Sequence, residues 1–138
     1  MRITQKYINE LCFKIIGAAI EVHKELGPGL LEQVYEACLV YELRLLDLKV
    51  KSQYKIPIIY KGINMNADLR FDLLVEDIVI IELKAVEKML PVFEAQLLTY
   101  MKLLQKPKGL LINFNSSNIF HEGQKTMVNQ FFAHLPKE

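Results

Sequence analysis

A chain of 138 residues that is 51% hydrophobic and 24% charged, with six Gly and five Pro, suits one globular core and excludes a disordered or fibrous protein. Its 17 basic and 16 acidic side chains leave a net charge of +1, so nucleic-acid affinity, if present, must come from a local patch and not from the field of the whole molecule. No apolar run nears the roughly 20 residues of a membrane span, and Met1-Arg-Ile-Thr-Gln-Lys-Tyr7 lacks an apolar signal-peptide centre, so a cytoplasmic protein with no membrane partner is expected.

Thr4 is a helix N-cap candidate, and Ile8, Leu11, Cys12, Ile15, Ala19, Val22 and Leu26 recur at the spacing of one helix face. Gly27-Pro28-Gly29 interrupts that helix, and a second follows with Leu31, Val34, Tyr35, Cys38, Leu39, Leu45 and Leu46 as its apolar positions. Cys12 and Cys38 fit no metal-ligand spacing and sit in these apolar patterns, which predicts free thiols in a reducing compartment.

Lys49 to Ile56 alternates strictly, with Val50, Ser52, Tyr54 and Ile56 predicted on one side of a strand that ends, bulges or lies at an edge at Pro57. Ile58 to Tyr60 extend toward a turn at Lys61-Gly62, and a second strand covers about Met65 to Val75. After a turn at Glu76-Asp77, Ile78 to Lys84 is β-branched-rich, as in a central buried strand. Pro91 suits the first turn of a helix running to about Gln105. Leu110 to Phe114 reads as a fourth strand, Asn118 to His121 as a short further one, and Gln124 to His134 as a terminal helix. The order describes an α/β domain over 1–138: a mixed sheet of four or five strands, made of an antiparallel meander followed by a crossover helix and strand, with helices on both faces.

Chemistry concentrates in Arg70-Phe-Asp72-Leu-Leu-Val-Glu-Asp-Ile-Val-Ile-Ile-Glu82-Leu-Lys84. Strand side chains alternate faces, so Glu82 and Lys84 project together from an apolar strand. Burying them costs several kcal/mol each unless they are paired or bound to metal. A divalent cation held by Asp72, Glu82 and the Leu83 carbonyl would compensate, and hard oxygen ligands select Mg²⁺ or Mn²⁺. A plain Glu82–Lys84 ion pair at a solvated strand end fits the same spacing. The site requires register: Asp72 shares a face with Glu82 only if cross-strand partners sum to an even number. A two-residue loop at Glu76-Asp77 would break that rule, so a three- or five-residue connection or a bulge is expected. Lys49, Lys51, Lys55 and Lys61 form a candidate basic patch or simply a solvated strand face. Glu76, Asp77, Glu82 and Glu87 oppose it.

These residues resemble the PD-(D/E)XK nuclease superfamily, and more closely the family named for a GxxExxY motif, which stands here as Gly29-Leu-Leu-Glu32-Gln-Val-Tyr35. The resemblance runs from about Ala18 to Phe114 and implies a restriction-endonuclease-like core. It implies metal ligation by Asp72 and Glu82, a catalytic Lys84, and a helical acid, Glu32, binding a second metal directly or through water. Gln96-Leu-Leu-Thr-Tyr100 is similar to the QxxxY element of RecB-like nucleases, which places Gln96 in catalysis and Tyr100, with Tyr35, on the substrate; a core Tyr with a surface Gln fits the same spacing. Gly29 adds a turn that could present backbone N–H groups to phosphate or merely break a helix. No Pro precedes Asp72, a departure from the superfamily name. His23 has the weaker claim to the site and the stronger one to packing.

The activity implied is metal-dependent phosphodiester hydrolysis of nucleic acid, DNA before RNA. A catalytically weak nucleic-acid-binding or assembly module, or hydrolysis of a smaller phosphoester, fits the same residues. A homodimer is compatible with the sequence.

Overall fold

A computed structural model describes residues 2–138. Its elements run α1 (Gln5–Leu26), α2 (Glu32–Leu45), β1 (Val50–Tyr60), β2 (Ile63–Val75), β3 (Val79–Lys84), α3 (Pro91–Leu104), β4 (Lys108–Asn113), β5 (Gln124–Val128) and α4 (Gln130–Ala133). The strands form one sheet in the order β1-β2-β3-β4-β5. Every neighbouring pair is antiparallel except β3 and β4, which α3 joins as a crossover. This is the expected restriction-endonuclease-like α/β arrangement, with five strands.

Two cores sandwich the sheet. On one face α1 and α2 bury Ile8, Ile15, Val22, Tyr35 and Leu39 against Leu73, Val79, Ile81, Leu83 and Ile112. On the other, Leu97 and Met101 of α3 cover Phe71, Leu74, Ile80 and Leu111. Gly109 permits that contact, because a Cβ there would stand 2.7 Å from the Met101 sulfur. Thr4 caps α1 as expected, its hydroxyl accepting the Tyr7 N–H at 3.0 Å. Both cysteines are free thiols, and burial pushes Cys12 up to about 11. Among the described residues no helix is long and apolar enough to cross a membrane.

Three expectations are corrected. Gln124–His134 is not one helix: Gln124–Val128 pairs antiparallel with β4, and only Gln130–Ala133 is helical, capped by Asn129. The cause is β4, buried along its whole length, which needs hydrogen-bond partners on both edges. Asn118–His121 is correspondingly a turn, closed by the Glu122 N–H on the Asn118 carbonyl. Finally, Val50 and Tyr54 do not share a face. Val50 packs with the α1–α2 core, while Tyr54 and Ile56 join the α3 core. Gln53 between them has φ +53°, which reverses the alternation inside the strand. Pro57 lies within β1 and does not end it. As an edge strand β1 tolerates the missing donor, at the cost of a register shift between Pro57 and Ile59.

Candidate active site

The β2–β3 hairpin sets the site. Val75 pairs with Val79, so Glu76-Asp77-Ile78 is a three-residue connection, with Glu76 and Asp77 at φ +53° and +59°. The partners Leu73↔Ile81 then put Asp72 opposite Glu82 in the even register. There the backbone ladder gives way to side chains. The Asp72 N–H donates to Glu82 Oε1 at 2.9 Å, and the Leu83 N–H donates to Asp72 Oδ2 at 2.7 Å. The Leu83 carbonyl leaves the strand on the same edge as its N–H and so opens toward the two acids, while the Leu83 side chain is buried in the α1–α2 core.

Interlocking the carboxylates this way removes them from water beside each other. Glu82 is 8% exposed; burial first, and the neighbouring Asp72 charge second, push its carboxyl up to about 7. Asp72 is raised for the same leading reason, with Glu32 as the repelling charge and Lys84 opposing. Lys84 is held between partners, its Nζ 3.9 Å from Glu82 Oε2 and 4.4 Å from the Phe93 ring centre. One ammonium does not neutralise two acids, so burial first and repulsion among the acids second leave both carboxyls raised. Tyr100, on α3, sits within reach of both charges: burial and then Glu82 and Asp72 raise its hydroxyl.

On the α2 side, a cleft of about 450 Å³ is lined by Leu31, Glu32, Glu36, Gln53, Asp72 and Ala85, among others. Glu32, the first residue of α2, accepts the Ala85 N–H at 3.3 Å, which ties the helix start to the end of β3. Glu36 follows one turn later and accepts from Gln53 Nε2 at 2.6 Å. Burial raises its carboxyl, the Gln53 hydrogen bond opposes, and the Asp72 charge raises it further. Gln53 and Asp72 line the same cleft, so the amide that ties the edge strand to α2 lies beside the central acid. Neither Gln53 nor Glu36 was expected here. A one-turn spacing from Glu32 could have flagged Glu36, whereas the left-handed backbone that turns Gln53 inward has no local signature, since Gln carries no preference for that conformation.

The expected residues thus divide. Asp72, Glu82, Leu83, Lys84, Glu32 and Tyr100 converge. Gln96 is exposed one turn from Tyr100, lining a shallow depression with it and Leu69, and its side chain makes no hydrogen bond among the described residues. Tyr35 is corrected as a substrate contact. It is 0% exposed, stacked on Phe114 at 4.4 Å, and its hydroxyl donates to the Gly27 carbonyl at 2.6 Å while accepting the Leu30 N–H at 3.1 Å. It therefore closes the turn in which Gly29 adopts φ +100°, a conformation that favours glycine. His23 joins the Ser116 carbonyl at 2.8 Å and is a packing residue.

Among the described residues no three His, Cys, Asp or Glu side chains close into a ready-made cation cage. The paired acids and the adjoining carbonyl nevertheless supply the hard oxygens a Mg²⁺-type ion takes, in a pocket short of positive charge. A family model described as the PD-(D/E)XK nuclease superfamily matches residues 9–126. No curated protein and no solved structure matches the chain.

Proposed function

The chain belongs to the PD-(D/E)XK nuclease superfamily, and from that premise we propose that it is a Mg²⁺- or Mn²⁺-dependent nuclease hydrolysing phosphodiester bonds, DNA before RNA. The observation that carries the reading is the interlocked, charge-deficient pair Asp72 and Glu82 with Lys84 beside it. Asp72, Glu82 and the Leu83 carbonyl would hold the cation, with Glu32 at the rim for a second. When bound, it lowers the pKa of a coordinated water and polarises the phosphoryl group. Lys84, fixed by Glu82 and Phe93, orients the attacking oxygen and offers positive charge where the phosphoryl oxygens gain negative charge. The Tyr100 hydroxyl, kept protonated by burial and then by the same acids, donates to a substrate oxygen, with Gln96 and the Gly29 turn on the approach. The Gly29–Tyr35 run supports placement near the GxxExxY family.

The direct test incubates pure protein with single- and double-stranded DNA and RNA, with Mg²⁺ or Mn²⁺ and with chelator, beside Asp72→Ala. Cleavage that needs metal and vanishes in the variant supports the reading; cleavage retained by Asp72→Ala overturns it. That no three His, Cys, Asp or Glu side chains form a preformed cage among the described residues favours a second reading, a catalytically weak nucleic-acid-binding module of the same fold. Tight binding without turnover under every metal would select it.

A further inference from the structure

The β1–β2 hairpin reaches well past the sheet. Its pairing continues from Val50↔Val75 out to Tyr60↔Ile63, whereas β3 pairs with β2 only from Leu73 to Val75. From Asp72 outward the hairpin is a two-stranded arm, a structure of marginal stability in isolation. Tyr54, Ile56, Leu69 and Phe71 turn one side of it to the α3 core. Lys55 and Arg70, lying between those positions, therefore take the opposite side, the side on which Gln53 and Asp72 line the cleft under α2.

Lys55 and Arg70 are direct cross-strand partners. Both are exposed. Like charges placed opposite each other destabilise a hairpin, yet neither joins any of the ion pairs among the described residues, which are Lys84–Glu82, Lys106–Asp77 and Lys125–Glu94. Edge lysines deter strand addition, but charge on either side of the arm would serve that need. Here both cations stand on the side of the Asp72 cleft, two residues beyond Gln53 and Asp72. At about 3.4 Å per residue, that is about 7 Å along the strand, or two nucleotides of axial rise.

We propose that this arm is the track for the substrate backbone, with Lys55 and Arg70 gripping phosphates next to the one being cleaved. The inference rests on the nuclease reading and deepens it: the contact is to phosphate, so it positions the strand and carries no sequence information. It also explains how a chain of net charge +1 can hold a polyanion, with the two cations placed where the acids of the site would otherwise repel it.

The test compares wild type, Lys55→Ala/Arg70→Ala, the charge-keeping Lys55→Arg/Arg70→Lys, and a charge-matched control, Lys14→Ala/Lys24→Ala, on α1. Anisotropy of a labelled 20-base-pair duplex is titrated in chelator at several salt concentrations, and cleavage is then followed with Mg²⁺. The arm variant should bind about 10- to 100-fold more weakly, with a log–log salt slope shallower by about two. KM should rise while kcat stays within about twofold, and the charge-keeping pair should bind like wild type. Because both side chains are exposed, its melting temperature should not fall. Binding and salt slope equal to those of the α1 control would overturn the track while leaving wild-type cleavage, and so the nuclease reading, standing. Wild type that neither binds nor cleaves would overturn both.

Discussion

Replacing Glu82 by Gln should stabilise the metal-free protein at pH 8 by about 3 kcal/mol. Gln keeps the oxygen that accepts the Asp72 N–H at 2.9 Å and removes the charge, its NH2 taking the place of the Oε2 that stands 3.9 Å from Lys84 Nζ. In the folded protein Glu82 titrates at about 7 against an ordinary 4.5, and a tenfold difference in proton affinity between the folded and unfolded states is worth about 1.4 kcal/mol. Because the folded pKa is the higher one, the folded state holds the proton more tightly. The associated stability is complete below about pH 4.5 and is lost as pH rises through 7. Asp72, raised in the same direction, adds to the loss. Urea unfolding of both proteins in chelator, from pH 4.5 to 8, should show two curves that start close together and diverge as pH rises, the variant above. Saturating Mg²⁺ at a hundredfold excess over Kd should return about 2.7 kcal/mol to wild type and little to Glu82→Gln. Parallel curves, or a variant less stable at pH 8, would refute the assignment of uncompensated charge to this position.

Lys84→Met should lower cleavage about 100-fold or more, the scale of losing one preorganised electrostatic stabiliser, while the metal-induced rise in melting temperature persists; unchanged turnover would remove Lys84 from the chemistry. Gln53→Gly relieves a left-handed backbone costing about 1 kcal/mol and deletes the amide that holds Glu36 beside Asp72 in the cleft, so it should match or exceed wild type in stability yet cleave at least about tenfold more slowly. A less stable but fully active Gln53→Gly would make Gln53 an ordinary strand residue. Tyr35→Phe orphans the Gly27 carbonyl and the Leu30 N–H and should cost about 1–3 kcal/mol with KM unchanged. A raised KM at full folding would return Tyr35 to the substrate.

What the sequence determined by itself were the features set by neighbours in the chain. The 3.6-residue apolar period and the Thr4 cap defined α1, the β-branched run defined β3, and the two-residue period placed Glu82 and Lys84 on one face. The parity of 72 and 82, set against that period, even required the odd-length connection seen at Glu76-Asp77-Ile78. The tertiary structure decided whatever depended on a distant partner. Gln124–Val128 has no strong period of its own and becomes a strand because β4 has an open edge beside it. Tyr35 resembles a motif residue presented to substrate, but the cavity between Phe114 and the Gly27 turn takes its ring and satisfies its hydroxyl. Gln53 reads as one more exposed strand residue until the twist opposite Asp72 drives it into the left-handed region and turns its amide to Glu36. Local periodicity is written into backbone sterics and can be read in one dimension. Which edge is vacant, which pocket a ring fills and where a strand must reverse its faces are settled only when separate segments compete to bury the same surface.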